Sequence, residues 1–114
     1  MGSEGRIRVR LIAALKTGRV QHEMSENLIS GRDLLQTGQV NVEEVIEFLK
    51  PECGLHCKRA RHPILPKIQT ATFRSDVSRG GLPVSWYVKC YCLFEGEEES
   101  WFVSVYSTLE RKRR

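Results

Sequence analysis

The chain has 114 residues and a mass of 13.1 kDa, so we expect one domain, residues 1–114, without room for a second core. Hydrophobic residues make up 40% and charged residues 28%, which predicts a packed fold and excludes a disordered chain. No apolar run approaches the roughly 20 residues that span a bilayer, and no leader with a cleavage site opens the chain. We therefore expect a soluble cytoplasmic protein without membrane association.

The net charge of +4 is unevenly distributed along the chain. Residues 58–89 carry seven bases and one acid, whereas residues 20–57 carry seven acids and two bases. Residues 110–114 carry four bases and one acid, and we expect them to form a flexible basic tail. An anionic partner such as a nucleic acid is expected at residues 58–89. A solvated basic face explains such a segment equally well.

Helical spacing dominates the first half of the sequence. Apolar residues recur at intervals of three and four over residues 6–16, which predicts a helix there. Residues 22–36 indicate one or two further short helices. The clearest helix covers residues 42–50, where Asn41 is a favourable N-cap and Glu44 completes a capping box.

The spacing changes to alternation in the second half, which predicts strands over residues 68–75, 84–94 and 101–107. An acidic loop at residues 95–100 joins the last two strands as an antiparallel hairpin. The predicted fold class is therefore α+β, with N-terminal helices packed on a C-terminal antiparallel sheet of about three strands.

The register of the hairpin can be argued from its apolar residues. Pairing Phe94 with Trp101 gathers the most apolar alternating side chains of both strands on one face, because opposite residues share a face. Lys89 then lies opposite Tyr106. The other face carries a cation, three phenols, a phenyl ring and a hydroxyl, from Tyr87, Lys89, Tyr91, Phe102, Ser104 and Tyr106.

This second face has the side chains that RNA chemistry requires. Cations and hydroxyls bind phosphates, and aromatic rings stack on bases. Cleavage without a metal needs a base, an acid and positive charge near the phosphorane. The candidate catalytic residues are Lys89, Tyr87, Tyr91 and, on the preceding strand, Arg74. The alternative is that a helix covers this face and that its tyrosines are packing residues.

A run of cations follows the clearest helix. Lys58, Arg59 and Arg61 lie close together in sequence, which suits contact with phosphates. We expect these three residues, together with Tyr106, to bind RNA. A solvated loop is the alternative. The isolated His22 is more typical of a cap or surface residue than of a catalytic base.

The cysteines are a candidate metal-binding set. Two thiols four residues apart and two on one strand could supply four zinc ligands, Cys53, Cys57, Cys90 and Cys92. Their spacing is not the typical pair of CxxC motifs, and a buried thiol is common in protein cores. We therefore expect no cofactor, and zinc is the alternative.

Several segments within residues 8–107 carry a resemblance to a known family. They are LIAALKTGRVQ, VEEVIEFLKPECGLHCKR, QTATFRSDV, and the strand pair WYVKCYCLF and WFVSVYST. Their order and content are similar to the MqsR-type mRNA interferase toxins, small bacterial toxins with a RelE-like α+β fold. The BrnT-type toxins of the same superfamily are also compatible with this pattern.

The resemblance implies a metal-independent endoribonuclease that cleaves mRNA and is neutralised by a cognate antitoxin. The family's lysine after the middle helix matches Lys58, and its tyrosine and lysine on the long strand match Tyr87 and Lys89. A family glutamine falls near Arg74, so the arginine is a departure, as is the cysteine-rich stretch at residues 53–57. The alternatives are a non-catalytic phage or host regulatory binding protein and a zinc-stabilised nucleic-acid-binding domain.

Overall fold

The structure, a computed structural model, describes residues 3–21, 33–50, 54–62, 65, 67–93 and 100–108. Its elements in chain order are helix α1 (Ser3–Thr17), strand β1 (Val20–Gln21), helix α2 (Val42–Leu49), and strands β2 (Leu55–Arg61), β3 (Gln69–Ser75), β4 (Trp86–Leu93) and β5 (Ser100–Ser107). A short 3-10 helix, Val77–Arg79, follows β3. None of the helices in these ranges is long and apolar enough to cross a membrane.

The strands form a single five-stranded sheet in the order β1-β5-β4-β3-β2. Strand β1 is parallel to β5, and all other neighbouring strands are antiparallel. The chain is therefore α+β, but the predicted RelE-like antiparallel sheet of about three strands is wrong, because this sheet is mixed and has five.

Two strands, β1 and β2, were not predicted from the sequence, and the reason differs between them. Strand β2 reads LHCKRAR, and its many cations hide the apolar alternation that marks a strand. Strand β1 has only two residues and pairs with residues about 80 positions later in the chain. A segment this short has no local sequence pattern that would predict a strand. In both cases pairing with a neighbour, and not intrinsic preference, decides the conformation.

The helices α1 and α2 form where the apolar spacing of the sequence predicts helices. The Asn41 side chain accepts a hydrogen bond from the Glu44 backbone N–H at 2.8 Å, and the Glu44 carboxylate accepts one from the Asn41 N–H at 2.9 Å. This confirms the capping box of α2. Of the helices expected over residues 22–36, residues 22–32 lie outside the described part, and residues 34–38 form a turn.

Both helices pack on one face of the sheet and create the core there. The Phe48 ring of α2 lies 4.6 Å from the Trp86 ring of β4, measured between centroids. The Arg8 guanidinium of α1 donates a hydrogen bond to the Leu49 carbonyl at 3.1 Å, which joins the two helices. The fully or almost fully buried residues of this core include Leu11, Val45, Phe48, Leu49, Phe73, Val88, Val103 and Val105.

The β4–β5 hairpin has a register two residues away from the predicted one. Trp101 pairs with Cys92 and not with Phe94, and Lys89 pairs with Ser104 and not with Tyr106. A shift of two residues leaves each side chain on the same face, since the period of a strand is two. The predicted faces are therefore correct, and apolar pattern alone could not distinguish between the two registers.

A close backbone contact joins the start of β2 to the loop before β4. The Gly54 carbonyl accepts a hydrogen bond from the Asp76 N–H at 2.8 Å. A Cβ on Gly54 would lie 2.6 Å from the Gly81 nitrogen, which is closer than real Cβ atoms approach another atom. The absence of a side chain thus permits the approach that fixes this end of β2 beside β3.

Candidate functional site

The sheet face opposite α1 and α2 carries most of the polar residues that the sequence indicates. We call it the open face, because no helix covers it within the described ranges. Its side chains are the alternate residues of each strand. One row across β2, β3, β4 and β5 consists of His56, Arg74, Tyr87 and Tyr106, and the next consists of Lys58, Thr72, Lys89 and Ser104.

The first row holds an arginine against a phenol. The Arg74 guanidinium carbon lies 4.6 Å from the centroid of the Tyr87 ring, a cation–π contact. The Tyr87 ring is in turn 5.7 Å from the Tyr106 ring, at an interplanar angle of 44°. A guanidinium that rests on a ring still has N–H donors in its own plane, and these match the oxygens of a phosphate.

The second row supplies exposed lysines. Lys89 is exposed between Thr72 and Ser104 on the neighbouring strands, and no acidic side chain among the described residues forms an ion pair with it. Lys58 is also exposed, two strands away. Neighbouring strands are about 4.8 Å apart, so the two lysine Cα atoms are separated by about 10 Å. The row therefore places two positive charges on the open face, one on each side of Thr72.

His56 is a candidate functional residue that the sequence did not single out. It is exposed and pairs directly with Arg74, so it lies at the end of the first row. An imidazole can accept or donate a proton near neutral pH, which makes it suited to acid–base chemistry. The available signal was the alternation within LHCKRAR, which places His56 and Lys58 on one side of a strand.

A carboxylate lies near this histidine. Hydrogen bonds from the Ser78 hydroxyl at 2.6 Å and from the Ser78 N–H hold the pKa of Asp76 below its ordinary value of 3.8. Arg79 and His56 add smaller electrostatic contributions in the same direction. Asp76 is therefore ionised at neutral pH and places a negative charge beside the open face.

Tyr91 has the surroundings of a packing residue. It is 9% exposed, and its ring stacks on Phe102 at 5.0 Å with an interplanar angle of 6°. The ring of His62 meets it at 4.6 Å in an edge arrangement, and His62 Nδ1 accepts a hydrogen bond from the Leu65 N–H. Tyr91 shares the face of Lys89 and Tyr87, as predicted, but it is enclosed by rings instead of being presented to solvent.

The cations of β2 divide between the two sides of the sheet. Lys58 belongs to the open face, whereas Arg59 and Arg61 alternate with it and point to the side that carries the helices. The Arg59 Nε–H donates a hydrogen bond to the Thr70 carbonyl at 3.1 Å. Of the predicted RNA-binding set, the structure thus brings Lys58 and Tyr106 to one face and separates Arg59 and Arg61 from them.

Three of the cysteines, Cys57, Cys90 and Cys92, lie on the helix side of the sheet. Burial raises the pKa of the Cys90 thiol far above its ordinary range, and the neighbouring Cys57 adds to the increase. Within the described ranges no group of three or more metal-ligating side chains could hold an ion. Cys53 is outside those ranges, so the four-cysteine zinc site remains a prediction.

Other predicted features also lie outside the part of the chain that is described. These are His22, Phe94, the acidic loop at residues 95–99 and the basic tail at residues 110–114.

Comparison of the chain with protein-family models, curated proteins and solved structures finds no significant match.

Proposed function

We propose that the open face binds single-stranded RNA and cleaves its backbone as a metal-independent endoribonuclease. The observation that carries this proposal is the first row, in which Arg74 pairs with His56 on one side and Tyr87 on the other. Two groups able to exchange protons thus flank a cation that is suited to a phosphate. Lys89 adds a second positive charge from the adjacent row.

The proposed reaction is the transfer of a phosphodiester to the neighbouring 2′-hydroxyl. His56 accepts the proton of the 2′-hydroxyl, whose oxygen forms a new bond to phosphorus while the bond from phosphorus to the 5′-oxygen breaks. Tyr87 donates a proton to the departing 5′-oxygen. Arg74 and Lys89 stabilise the negative charge that develops on the phosphorane oxygens. The products are a 2′,3′-cyclic phosphate and a 5′-hydroxyl.

The rest of the open face has the composition of an RNA-binding surface. Tyr106 and Phe102 are half-buried rings on which bases can stack, and base stacking is tolerant of sequence. Lys58 is positioned to contact a phosphate further along the strand. The resemblance to the MqsR-type interferases supports mRNA as the substrate and a cognate antitoxin as the protein partner.

Cleavage of mRNA in excess EDTA tests the activity, with the cyclic phosphate terminus as the diagnostic product. We expect Lys89→Gln to lower kcat/KM by about 100-fold or more, as loss of a group that stabilises transition-state charge does. Lys16→Gln is the matched control, because Lys16 is an exposed lysine in the last turn of α1, away from the open face. Equal cleavage by Lys89→Gln and the unmodified protein would refute the proposal.

His56→Gln separates chemistry from binding. Loss of the proposed base should reduce cleavage by about 100- to 10,000-fold, while the affinity for RNA changes little because the cations and rings remain. If His56→Gln cleaves normally, the base has been assigned wrongly. Cleavage and affinity that fall together by the same factor would indicate that the histidine only holds the RNA.

A non-catalytic RNA-binding protein is the second candidate. It is favoured by the half-buried rings of Tyr87, Phe102 and Tyr106, which provide stacking surfaces without any chemistry. This function predicts an RNA complex that survives intact in EDTA and in Mg²⁺. It also predicts that Tyr106→Ala weakens binding, since each base–aromatic stack contributes about 1–3 kcal/mol.

A further inference from the structure

The outer edge of strand β2 is a surface that the proposed RNA cleavage does not use. Strand β2 lies at the end of the sheet, so in the described part of the chain only one of its two edges pairs with a neighbouring strand. We call the other one the β2 edge. An exposed strand edge presents backbone donors and acceptors to which another chain can pair.

Hydrogen bonds at both ends of β2 show which backbone groups face this edge. The Gly54 carbonyl accepts a hydrogen bond from the Asp76 N–H at 2.8 Å, and the His62 N–H donates one to the Ile68 carbonyl at 2.8 Å. Hydrogen-bonded and non-hydrogen-bonded positions alternate along an antiparallel pair of strands. The even-numbered residues between these two positions are therefore the ones whose backbone groups bond to the following strand.

The odd-numbered residues include Arg59 and Arg61, which the structure separates from the open face. Their backbone N–H and C=O groups point away from β3 and towards the β2 edge, and no described residue forms a hydrogen bond with these groups. An extended peptide supplies donors and acceptors at the same spacing, as in strand addition. The phosphates of RNA supply acceptors only, so they would leave the two carbonyls without a donor. The backbone pattern therefore favours a protein segment as the partner.

The side chains of β2 indicate the charge of that segment. The strand carries three cations and a histidine, and no acid, among its seven residues LHCKRAR. Directly opposite side chains on paired strands are close enough that opposite charges stabilise the pair and like charges destabilise it. A second copy of β2 would place cations opposite cations, which disfavours self-pairing. A segment rich in aspartate or glutamate places carboxylates there instead.

We propose that the β2 edge binds an extended acidic segment of a partner protein, which adds a strand to the sheet. The backbone groups of Arg59 and Arg61 form the hydrogen bonds to the added strand, and its carboxylates contact the cations of β2. The proposal does not depend on RNA cleavage, because neither arginine belongs to the open face.

Titration of the isotopically labelled full chain with a short blocked peptide of alternating glutamate and valine tests the proposal by NMR. We expect the amide protons of Arg59 and Arg61 to exchange at least about tenfold more slowly at saturation, because they become hydrogen-bonded. The same peptide with lysine in place of glutamate, and the acidic peptide methylated on every backbone nitrogen, should each bind at least about tenfold more weakly.

Three results of this titration would overturn the proposal. One is equal binding of the N-methylated peptide, which would indicate attraction between charges without strand pairing. Another is the absence of binding by the acidic peptide at millimolar concentration. The third is slower exchange of the same two amides with oligouridylate and not with the acidic peptide, which would assign the β2 edge to nucleic acid.

Variants of Arg61 separate its backbone from its charge. Arg61→Gln removes the charge and should weaken binding of the acidic peptide about two- to fivefold. Arg61→Pro also removes the outward N–H, which proline allows at an open edge, and should weaken binding at least about fivefold more. Arg19→Gln, the same change at an exposed arginine beside β1 at the opposite end of the sheet, should leave binding unchanged. Equal affinities of Arg61→Pro and Arg61→Gln would refute strand pairing, and the N-methylated peptide makes the same distinction without a change in the protein.

Discussion

Replacement of Gly54 by alanine tests the backbone contact that fixes the start of β2. The added Cβ would lie 2.6 Å from the Gly81 nitrogen and 2.9 Å from the Gly80 carbonyl carbon. Both neighbours are backbone atoms, so no flexible side chain can move aside and the loop before β4 has to shift. Such overpacking costs about 1–3 kcal/mol, while the reduced freedom of the unfolded chain returns about 0.4–1 kcal/mol.

We therefore expect Gly54→Ala to lower the free energy of unfolding by about 1–2 kcal/mol. Urea denaturation followed by circular dichroism measures this loss as a lower midpoint with an unchanged slope. Gly38→Ala is the informative control, because Gly38 has a φ of +85° and open space around it, so that its cost of about 1–2 kcal/mol is purely conformational.

The two variants respond differently to a second substitution. Asparagine tolerates positive φ, so Gly38→Asn should be more stable than Gly38→Ala. Gly54→Asn should be less stable than Gly54→Ala, since a larger side chain worsens the clash. A Gly54→Ala protein as stable as the unmodified chain would refute the reasoning that the close approach of the two backbones restricts this position to glycine.

Three further changes probe the core, a helix cap and a buried thiol. Phe48→Ala should reduce the free energy of unfolding by about 3–5 kcal/mol in urea denaturation, because the Phe48 ring is fully buried beside Trp86. Asn41→Ala removes the acceptor for the Glu44 N–H, and thermal melts should show a loss of about 1 kcal/mol. The third change, Cys90→Ala, affects how stability depends on pH, because burial raises the pKa of the Cys90 thiol. The native state keeps the thiol proton, whereas the unfolded chain releases it above about pH 8.5. The contribution of this thiol is fully present below that pH and declines above it by up to about 1.4 kcal/mol per pH unit. Cys90→Ala should therefore show a shallower loss of stability between pH 8 and 10, and an identical pH profile would contradict the assignment.

Elements whose conformation depends on residues close together in the sequence could be predicted from local sequence patterns. The capping box between Asn41 and Glu44 involves residues three positions apart, so it is visible in the sequence and is present in the structure. The faces of β4 and β5 follow from simple alternation. The register required more information, because an apolar pattern of period two is satisfied by every even shift.

The features that could not be predicted from the sequence depend on contacts between residues far apart in the chain. The Asp33 carboxylate accepts a hydrogen bond from the Val105 N–H at 3.0 Å, a connection across 72 positions that no local motif indicates. The membership of His56 in the site has the same origin, since it depends on the pairing of β2 with β3. Three of the four proposed catalytic residues, Arg74, Tyr87 and Lys89, can therefore be predicted from strand alternation, whereas His56 cannot.

The position of β5 has a consequence for the synthesis of the protein. This strand comes last in the described order, yet it lies inside the sheet between β1 and β4, and its residues Val103 and Val105 are fully buried. A nascent chain that ends before residue 107 lacks part of β5, which is the neighbour of both β1 and β4. The apolar side chains of β1 and β4 that pack against β5 are then exposed to solvent. The sheet is therefore completed only when translation has passed β5, and shortened products should be substrates for proteases. The open face is thus complete only in molecules in which β5 has been synthesised.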